Sequence, residues 1–235
     1  MKQISKIAEN HYEKGYKKLG INYQRRYPNE ELCRFMGRNF FSYKKNKRKK
    51  IKILETGCGS GGNLWMIAQE QFLAYGIDIS NQSIKIAKKL FEEKKINGFF
   101  RKGNFAHMSY DNLYFDAVCD VFSSCCLDKV EGKNYIGEVN RVLKKNGKFF
   151  SYFPSKKSNM FKHSSKVMHD SDTLISLKKK SPYKVDHPIR FMKMSEYCLL
   201  LEQNGFSIDY KEEIMRTYFS GKDKFYFLVI EAKKL

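Results

Sequence analysis

This sequence predicts an α/β fold built on a doubly wound, mostly parallel sheet, and three observations carry that expectation. From Ile51 onward, short apolar runs alternate with segments of helical period, the pattern of successive βαβ units. One such run, Ile53-Leu54-Glu55-Thr56, breaks on Gly57-Cys58-Gly59-Ser60-Gly61-Gly62-Asn63 and resumes as a helix. Glycines there permit a tight turn of positive φ and let backbone N–H groups approach a nucleoside ligand at the strand end. A second run, Tyr75-Gly76-Ile77-Asp78, closes on an acid about twenty residues on, where a ribose-binding carboxylate belongs.

The elements follow in order. Residues 1–45 form an N-terminal segment in which Tyr12, Tyr16, Tyr23 and Tyr27 are interleaved with charge. A helix is expected over 29–41, beside Pro28, with Leu32, Phe35, Met36, Asn39 and Phe40 as its stripe. The run Lys44-Lys45-Asn46-Lys47-Arg48-Lys49-Lys50 reads as a solvated linker into the first strand, facing away from the crevice. Residues 46–235 form the main domain, with strands near 51–55, 73–78, 98–102, 115–120 and 147–153. Helices fall near 62–70, 81–95, 131–144 and 194–204. The second of these starts on Ser80-Asn81, good N-cap chemistry, and carries the stripe Ile84, Ile86, Ala87, Leu90, Phe91. Gly205–Tyr210 and Phe225–Ile230 read as two more strands joined through Ser220-Gly221-Lys222-Asp223, a terminal hairpin. Residues 154–192 break the alternation with Pro154, Pro182, Pro188 and three of the five histidines. A stretch this long at the carboxyl edge of a sheet is expected to be a lid-like, substrate-binding insertion.

Composition bounds the partners. At 235 residues the chain suits one domain. Lys and Arg number 45 against 25 Asp and Glu, a formal charge of +20. Such an excess suits nucleic acid, acidic surfaces or anionic substrates; the abundance of Lys, Asn, Ile, Phe and Tyr throughout favours a compositional origin instead. The six cysteines form no C-x-x-C pair and no histidine stands at zinc-finger spacing, so no metal is expected. The start of the chain lacks the apolar core of a signal peptide, and the longest apolar runs are too short to span a bilayer. The cytoplasm, with reduced thiols, is the expected compartment.

The stretch Glu55-Thr56-Gly57-Cys58-Gly59-Ser60-Gly61 resembles the first motif of class I S-adenosylmethionine (SAM)-dependent methyltransferases. Its glycines are spaced G-x-G-x-G, whereas a dehydrogenase loop reads G-x-G-x-x-G. Phe115-Asp116-Ala117-Val118-Cys119-Asp120 is similar to that family's fourth strand, and Glu138 to Phe150 to the following helix, turn and fifth strand. The resemblance covers residues 50–153 with specific motifs and the remainder to 232 more loosely. It implies a Rossmann-like, seven-stranded sheet with an antiparallel last strand, in a single domain. It also implies SAM as methyl donor and S-adenosylhomocysteine (SAH) as product. Gly57, Cys58, Gly59, Gly61 and Asn63 would form the loop under the methionyl part, with Glu55 fixing that loop or the amino group. Asp78 would take both ribose hydroxyls and Ile79 the adenine face. Lys102-Gly103-Asn104-Phe105 stands where the family has Gly-Asp, so Asn104 would meet the adenine amino group through its amide oxygen. Asp120 would lie beside the transferred methyl.

The acceptor is less legible. A sulfonium methyl needs only an aligned nucleophile in a dry site, but an alcohol benefits from a general base. Candidates are His169, Asp170 and His187, and Tyr12, Tyr23, Tyr27, Arg26 and Arg190 are candidate acceptor contacts. The chain also resembles small bacterial methyltransferases of uncertain substrate, some linked to surface-glycan modification. The leading expectation is O- or N-methylation of a small polar metabolite, with phosphorylated, sugar-linked and otherwise anionic acceptors included. The alternatives are an RNA or DNA methyltransferase and a SAM-binding protein without catalysis. Ser123-Ser124-Cys125-Cys126 lacks the Pro-Cys of pyrimidine methyltransferases, which weighs against nucleic acid. Oligomeric state is left open.

Overall fold

The structure is a computed structural model that describes residues 3–163, 166–177 and 185–235. Helix α1 (Gln3–Leu19) leads through a 3-10 turn (Gly20–Tyr23) to α2 (Glu30–Asn39) and α3 (Lys45–Arg48). Then come β1 (Lys52–Thr56), α4 (Leu64–Gln69), β2 (Leu73–Asp78), α5 (Asn81–Glu93), β3 (Phe99–Lys102) and β4 (Phe115–Val121). After a second 3-10 turn (Ser124–Cys126) follow α6 (Lys129–Val142), β5 (Leu143–Pro154), α7 (Asn159–Lys162), β6 (Lys166–Met168), β7 (Thr173–Leu177) and β8 (Ile189–Arg190). The chain closes with α8 (Met194–Gln203), β9 (Phe206–Tyr218) and β10 (Asp223–Lys234).

Seven strands form one sheet in the order β3-β2-β1-β4-β5-β10-β9. β1 to β5 pair in parallel, and β10 runs antiparallel to both β5 and β9. The fold is therefore the Rossmann-like sheet expected from the sequence, with its last strands reversed. Strand direction reverses its winding between β1 and β4, and a ligand crevice opens at the carboxyl ends on either side of that switch.

Both faces of the sheet are covered, which parallel strands require. Successive residues of a strand point to opposite sides, so Leu54 joins a core with Tyr135, Ile136 and Val139 of α6 and Tyr197 and Leu201 of α8. Its neighbour Ile53 joins the other, with Leu32, Phe35 and Met36 of α2, Ile67 of α4 and Ile84 of α5. The Asn29 side chain caps α2 by accepting from Glu31 and Leu32 N–H, at 2.9 and 3.1 Å.

Two regions differ from expectation. The polar-looking N-terminus forms the 17-residue α1, because Ile4, Ala8 and Tyr16 lie at helical spacing and are all buried. The insertion contains a small antiparallel sheet, β6-β7-β8, whose strands of two to five residues are too short to show a period. Pro182 lies outside the described residues.

Candidate active site

The loop after β1 owes its shape to three glycines, with φ of 65° at Gly57, 52° at Gly59 and 82° at Gly61. A Cβ on Gly57 would strike the Ser123 side chain, and one on Gly59 the Tyr16 hydroxyl. The loop is thus wedged between the end of β4 and α1. Ile77 carbonyl accepts from the N–H groups of Gly57 and Cys58, at 2.8 and 3.2 Å, which ties the loop to β2. Cys58 is buried beside Gly76, and burial pushes its thiol well up, so it packs rather than reacts.

Two acids flank the loop. Asp78 is buried and accepts from Gly59 N–H at 2.9 Å and from Ser80 N–H at 2.8 Å, one bond to each carboxylate oxygen. Glu55 is 2% exposed; one oxygen accepts from the Asn63 amide, while Oε2 is buried with no hydrogen-bond partner. Burial pushes the Glu55 carboxyl up to about 8. A buried acceptor left in this condition fits the cationic amino end of a ligand.

α1 roofs the crevice. Glu13 accepts from Ser80 Oγ at 2.7 Å and Gln82 N–H at 3.1 Å, pinning α1 to the start of α5. Beneath it lies a cavity of about 460 Å³ lined by Tyr12, Tyr16, Tyr23, Gln24, Asp78, Ile79, Asn104, Phe105, Phe122 and Ser123, among others. This size lies in the range of small-molecule sites. A polar recess beside it holds Arg25, Tyr27, Glu55, Gly57, Cys58 and Asn63. A third hollow, of about 590 Å³, is a groove with aromatic walls: Phe122, Tyr152, Tyr218, Phe219, Phe225 and Phe227, with Arg25, Glu30, Arg216 and Asp223 on its rim. Phe122 and Arg25 line both the cavity and the groove. Phe122 holds φ of 61°, a left-handed backbone that a bulky residue adopts at a cost of roughly 1–2 kcal/mol, at the junction of the two spaces.

The expected residues divide between the site and its surroundings. Asp120 lines none of these hollows: it is fully buried and accepts from Ser123 N–H and Oγ, Ser124 N–H and Oγ, and Ser151 Oγ. Its carboxylate is consumed in holding the turn after β4, so it shapes the site from behind. The Asn104 amide oxygen accepts from Ala106 N–H at 2.9 Å, a turn bond that engages the atom expected to face adenine. Asp170 accepts from the N–H groups of Lys129, Asp172 and Thr173, and His169 lies 3.7 Å from Asp128; both brace the β6–β7 turn against α6. Arg190 is buried over the Phe153 ring in the space left by Gly132, with Nε and Nη2 unpartnered. Arg26 bonds Asn22 on the surface, and its neighbour Arg25 is the cation that reaches the site. Tyr27 is 74% exposed and packs edge-on against Trp65. Tyr12 and Tyr23 do line the cavity, and His187 lies behind them, edge-on to Tyr12 and stacked on His11.

Residues 47–217 match a family described as a methyltransferase domain. The chain belongs to this methyltransferase family. Its sheet is the class I methyltransferase fold, and the orphaned Glu55 oxygen, the Asp78 carboxylate and the glycine loop fit SAM as a ligand. Sterol 24-C-methyltransferase of Saccharomyces cerevisiae is 29% identical over 153 residues, which cover 62% of this chain and 39% of that protein. The Neurospora crassa sterol 24-C-methyltransferase is 33% identical over 108 residues, 45% of this chain and 28% of that one. The chain therefore spans less than half the length of the curated relatives it matches. Among solved structures, a SAM-dependent methyltransferase from Methanosarcina mazei superposes with TM-score 0.67 at 22% identity, covering 78% of this chain and 92% of its own. Magnesium protoporphyrin IX methyltransferase of Synechocystis, with bound SAM, gives 0.64 at 16% identity over 100% and 99% of the two chains. Among the described residues no helix is long and apolar enough to cross a membrane.

Proposed function

We propose that this methyltransferase acts on an acceptor with an extended apolar body, at an O or N atom that gives up a proton, in place of the small polar metabolite that the sequence suggested. The observation that supports this reading is the aromatic groove joined to the roofed cavity at Phe122 and Arg25. Tyr152 stacks on Phe227 with centroids 4.6 Å apart, and Phe225 lies 4.7 Å from Phe227, a surface that buries rings or isoprenoid units and rejects hydrated sugars. Arg216 at its rim would meet a single polar or anionic end.

The donor supplies a methyl group already activated on a sulfonium. Glu55 would hold its amino end, Arg25 its carboxylate and Asp78 its ribose, with Ile79 and Phe105 against its base. α1 excludes water, and Phe122 stands at the junction through which the reacting end of the acceptor would reach the donor and Tyr23 in the roofed cavity. A second reading, methyl transfer to an alkene carbon, is supported by the sterol 24-C-methyltransferases among the relatives and by the aromatic lining, which stabilises a cationic carbon.

Incubation with radiolabelled SAM and parallel panels of sterols, prenyl phenols, fatty acids and sugar nucleotides tests the proposal. Label entering only apolar acceptors, and lost in Phe227→Asp, is the expected result. Transfer confined to sugar nucleotides would overturn it.

A further inference from the structure

We propose that Tyr23, His11 and Asp186 form a proton relay that draws the proton off the acceptor as the methyl group arrives. The proposal rests on the reading above, that the acceptor atom sheds a proton, and assigns that proton a path.

The three groups stand in line. The Tyr23 hydroxyl lies 2.7 Å from His11 Nε2, and His11 Nδ1 lies 3.2 Å from Asp186 Oδ1. One neutral tautomer suits both contacts: Nε2 accepts the hydrogen bond from the Tyr23 hydroxyl, and Nδ1–H stands at ion-pair distance from the carboxylate. The other tautomer would set a nitrogen lone pair against a carboxylate oxygen. Tyr23 lines the roofed cavity, whereas Asp186 is 46% exposed. The line therefore runs from the reaction space to water.

The arrangement is built. Gly15 stands in the middle of α1, where glycine costs about 0.5–1 kcal/mol against alanine, and a Cβ there would enter the Tyr23 ring. Tyr12 packs edge-on to His11 at 5.0 Å and Tyr16 edge-on to Tyr23 at 4.9 Å, so both partners of the central bond are held.

Among the described residues, the groups facing His11 include Tyr12 on α1, Tyr23 in the 3-10 turn, and Asp186 and His187 in the segment before β8; Tyr12 in turn lies 3.3 Å from the Cys126 thiol. His187 stacks on His11 at 4.2 Å with 23° between the rings, its Nδ1 3.3 Å from the same Asp186 oxygen. Burial and the neighbouring His11 hold His187 below the usual imidazole range. A metal ion is the competing occupant, since His11, Asp186 and His187 offer ligand atoms within 4.8 Å of one another. Both Nδ1 atoms lie against the one Asp186 oxygen, so the response to added Zn²⁺ separates the two readings.

The proton balance is closed. The acceptor atom donates its electron pair to the methyl carbon, and the carbon–sulfur pair stays on sulfur. The acceptor's proton passes to the Tyr23 oxygen while the Tyr23 proton passes to His11 Nε2. His11 becomes an imidazolium held by Asp186, and then returns the proton to water. No electron is exchanged with an outside reagent, and Tyr23 is a neutral phenol before and after. Burial and Asp186 both raise the Tyr23 hydroxyl, which suits a group that hands on a proton and does not rest as phenolate.

Imidazole nitrogen NMR of the free protein tests the relay without any acceptor. The expected spectrum has His11 as the Nδ1–H tautomer, with its Nε2 signal displaced in Tyr23→Phe and its titration midpoint lowered in Asp186→Asn. An Nε2–H tautomer, or no response to either change, overturns the proposal, and Zn²⁺ added at equimolar concentration should leave these signals in place. With an acceptor in hand, Tyr23→Phe and His11→Gln should lower kcat 10²–10³-fold, leave KM and SAH affinity within about threefold, and remove the rise of kcat with pH through the His11 titration. Unchanged kcat in Tyr23→Phe would sink the relay. Failure of every apolar acceptor with the NMR signature intact would instead sink the acceptor reading.

Discussion

Glu55 makes SAM recognition a proton-linked event. Its Oε2 is buried without a partner and burial holds the carboxyl at about 8, so at pH 7 about nine molecules in ten carry a protonated Glu55. A cationic amino group docking there requires the carboxylate, so binding should release about 0.9 proton at pH 7. Affinity should then climb nearly tenfold per pH unit from pH 6, flatten near pH 8, and fall once the ligand's own α-amino group, at about 7.7–8.0, loses its charge. The same shift acts on the fold. A carboxyl raised on folding stabilises the protein most below its unfolded value of about 4.3, and that contribution is lost as pH rises toward 8. The assay is isothermal titration of SAH at pH 7 in buffers of contrasting ionisation enthalpy, for the native protein and Glu55→Gln. The native heat should vary with buffer and the variant's should not, while the variant gains stability above pH 7 by thermal melting. Buffer-independent heats in the native protein, or an ascending pH limb that survives in Glu55→Gln, would refute the reasoning.

Further expectations concern neighbouring groups. Asp78→Ala removes a charged acceptor whose hydrogen bonds are each worth about 1.5–3 kcal/mol, so SAH affinity should fall roughly 10–150-fold by titration. Gly57→Ala combines a φ of 65° with a collision against Ser123; a drop in melting temperature of several degrees and loss of SAH binding are expected. Asp120→Asn leaves the serine hydroxyl and amide donors of the turn after β4 facing a weaker acceptor, and should cost about 2–4 kcal/mol in urea unfolding. Phe122→Gly relieves the left-handed backbone and opens the junction, so stability should hold while turnover of a bulky acceptor changes; an unaltered profile would show that Phe122 does not divide the two spaces.

The strands and the donor loop were legible because their signals are local. Gly57, Gly59 and Gly61 sit in the positive-φ turns that their spacing announced, and Asp78 closes β2 against that loop. α1 was not legible because two of the three residues in its buried apolar stripe, Ala8 and Tyr16, carry little hydropathy contrast. Asp120 was misplaced because Ser123 and Ser124, three and four residues on, fold back onto its carboxylate, and Ser151 joins them when β4 meets β5. Arg25 and Arg26 are indistinguishable as letters; the course of the 24–27 segment over Gly62 decides which one faces inward. His11 is a lone histidine among charged residues, and nothing in its surroundings announces Tyr23 or Asp186 as partners.

The roof made by α1 sets the order of events in a catalytic cycle. Tyr16, Gln24 and Arg25 lie across the glycine loop, so exchange of the donor and its spent form should be slowed by movement of α1 and the segment after it, whereas the aromatic groove has a mouth of its own. Turnover should accordingly be paced by exchange of SAH, with methylated product departing first, and an acceptor with two methylatable atoms would be released between the two reactions.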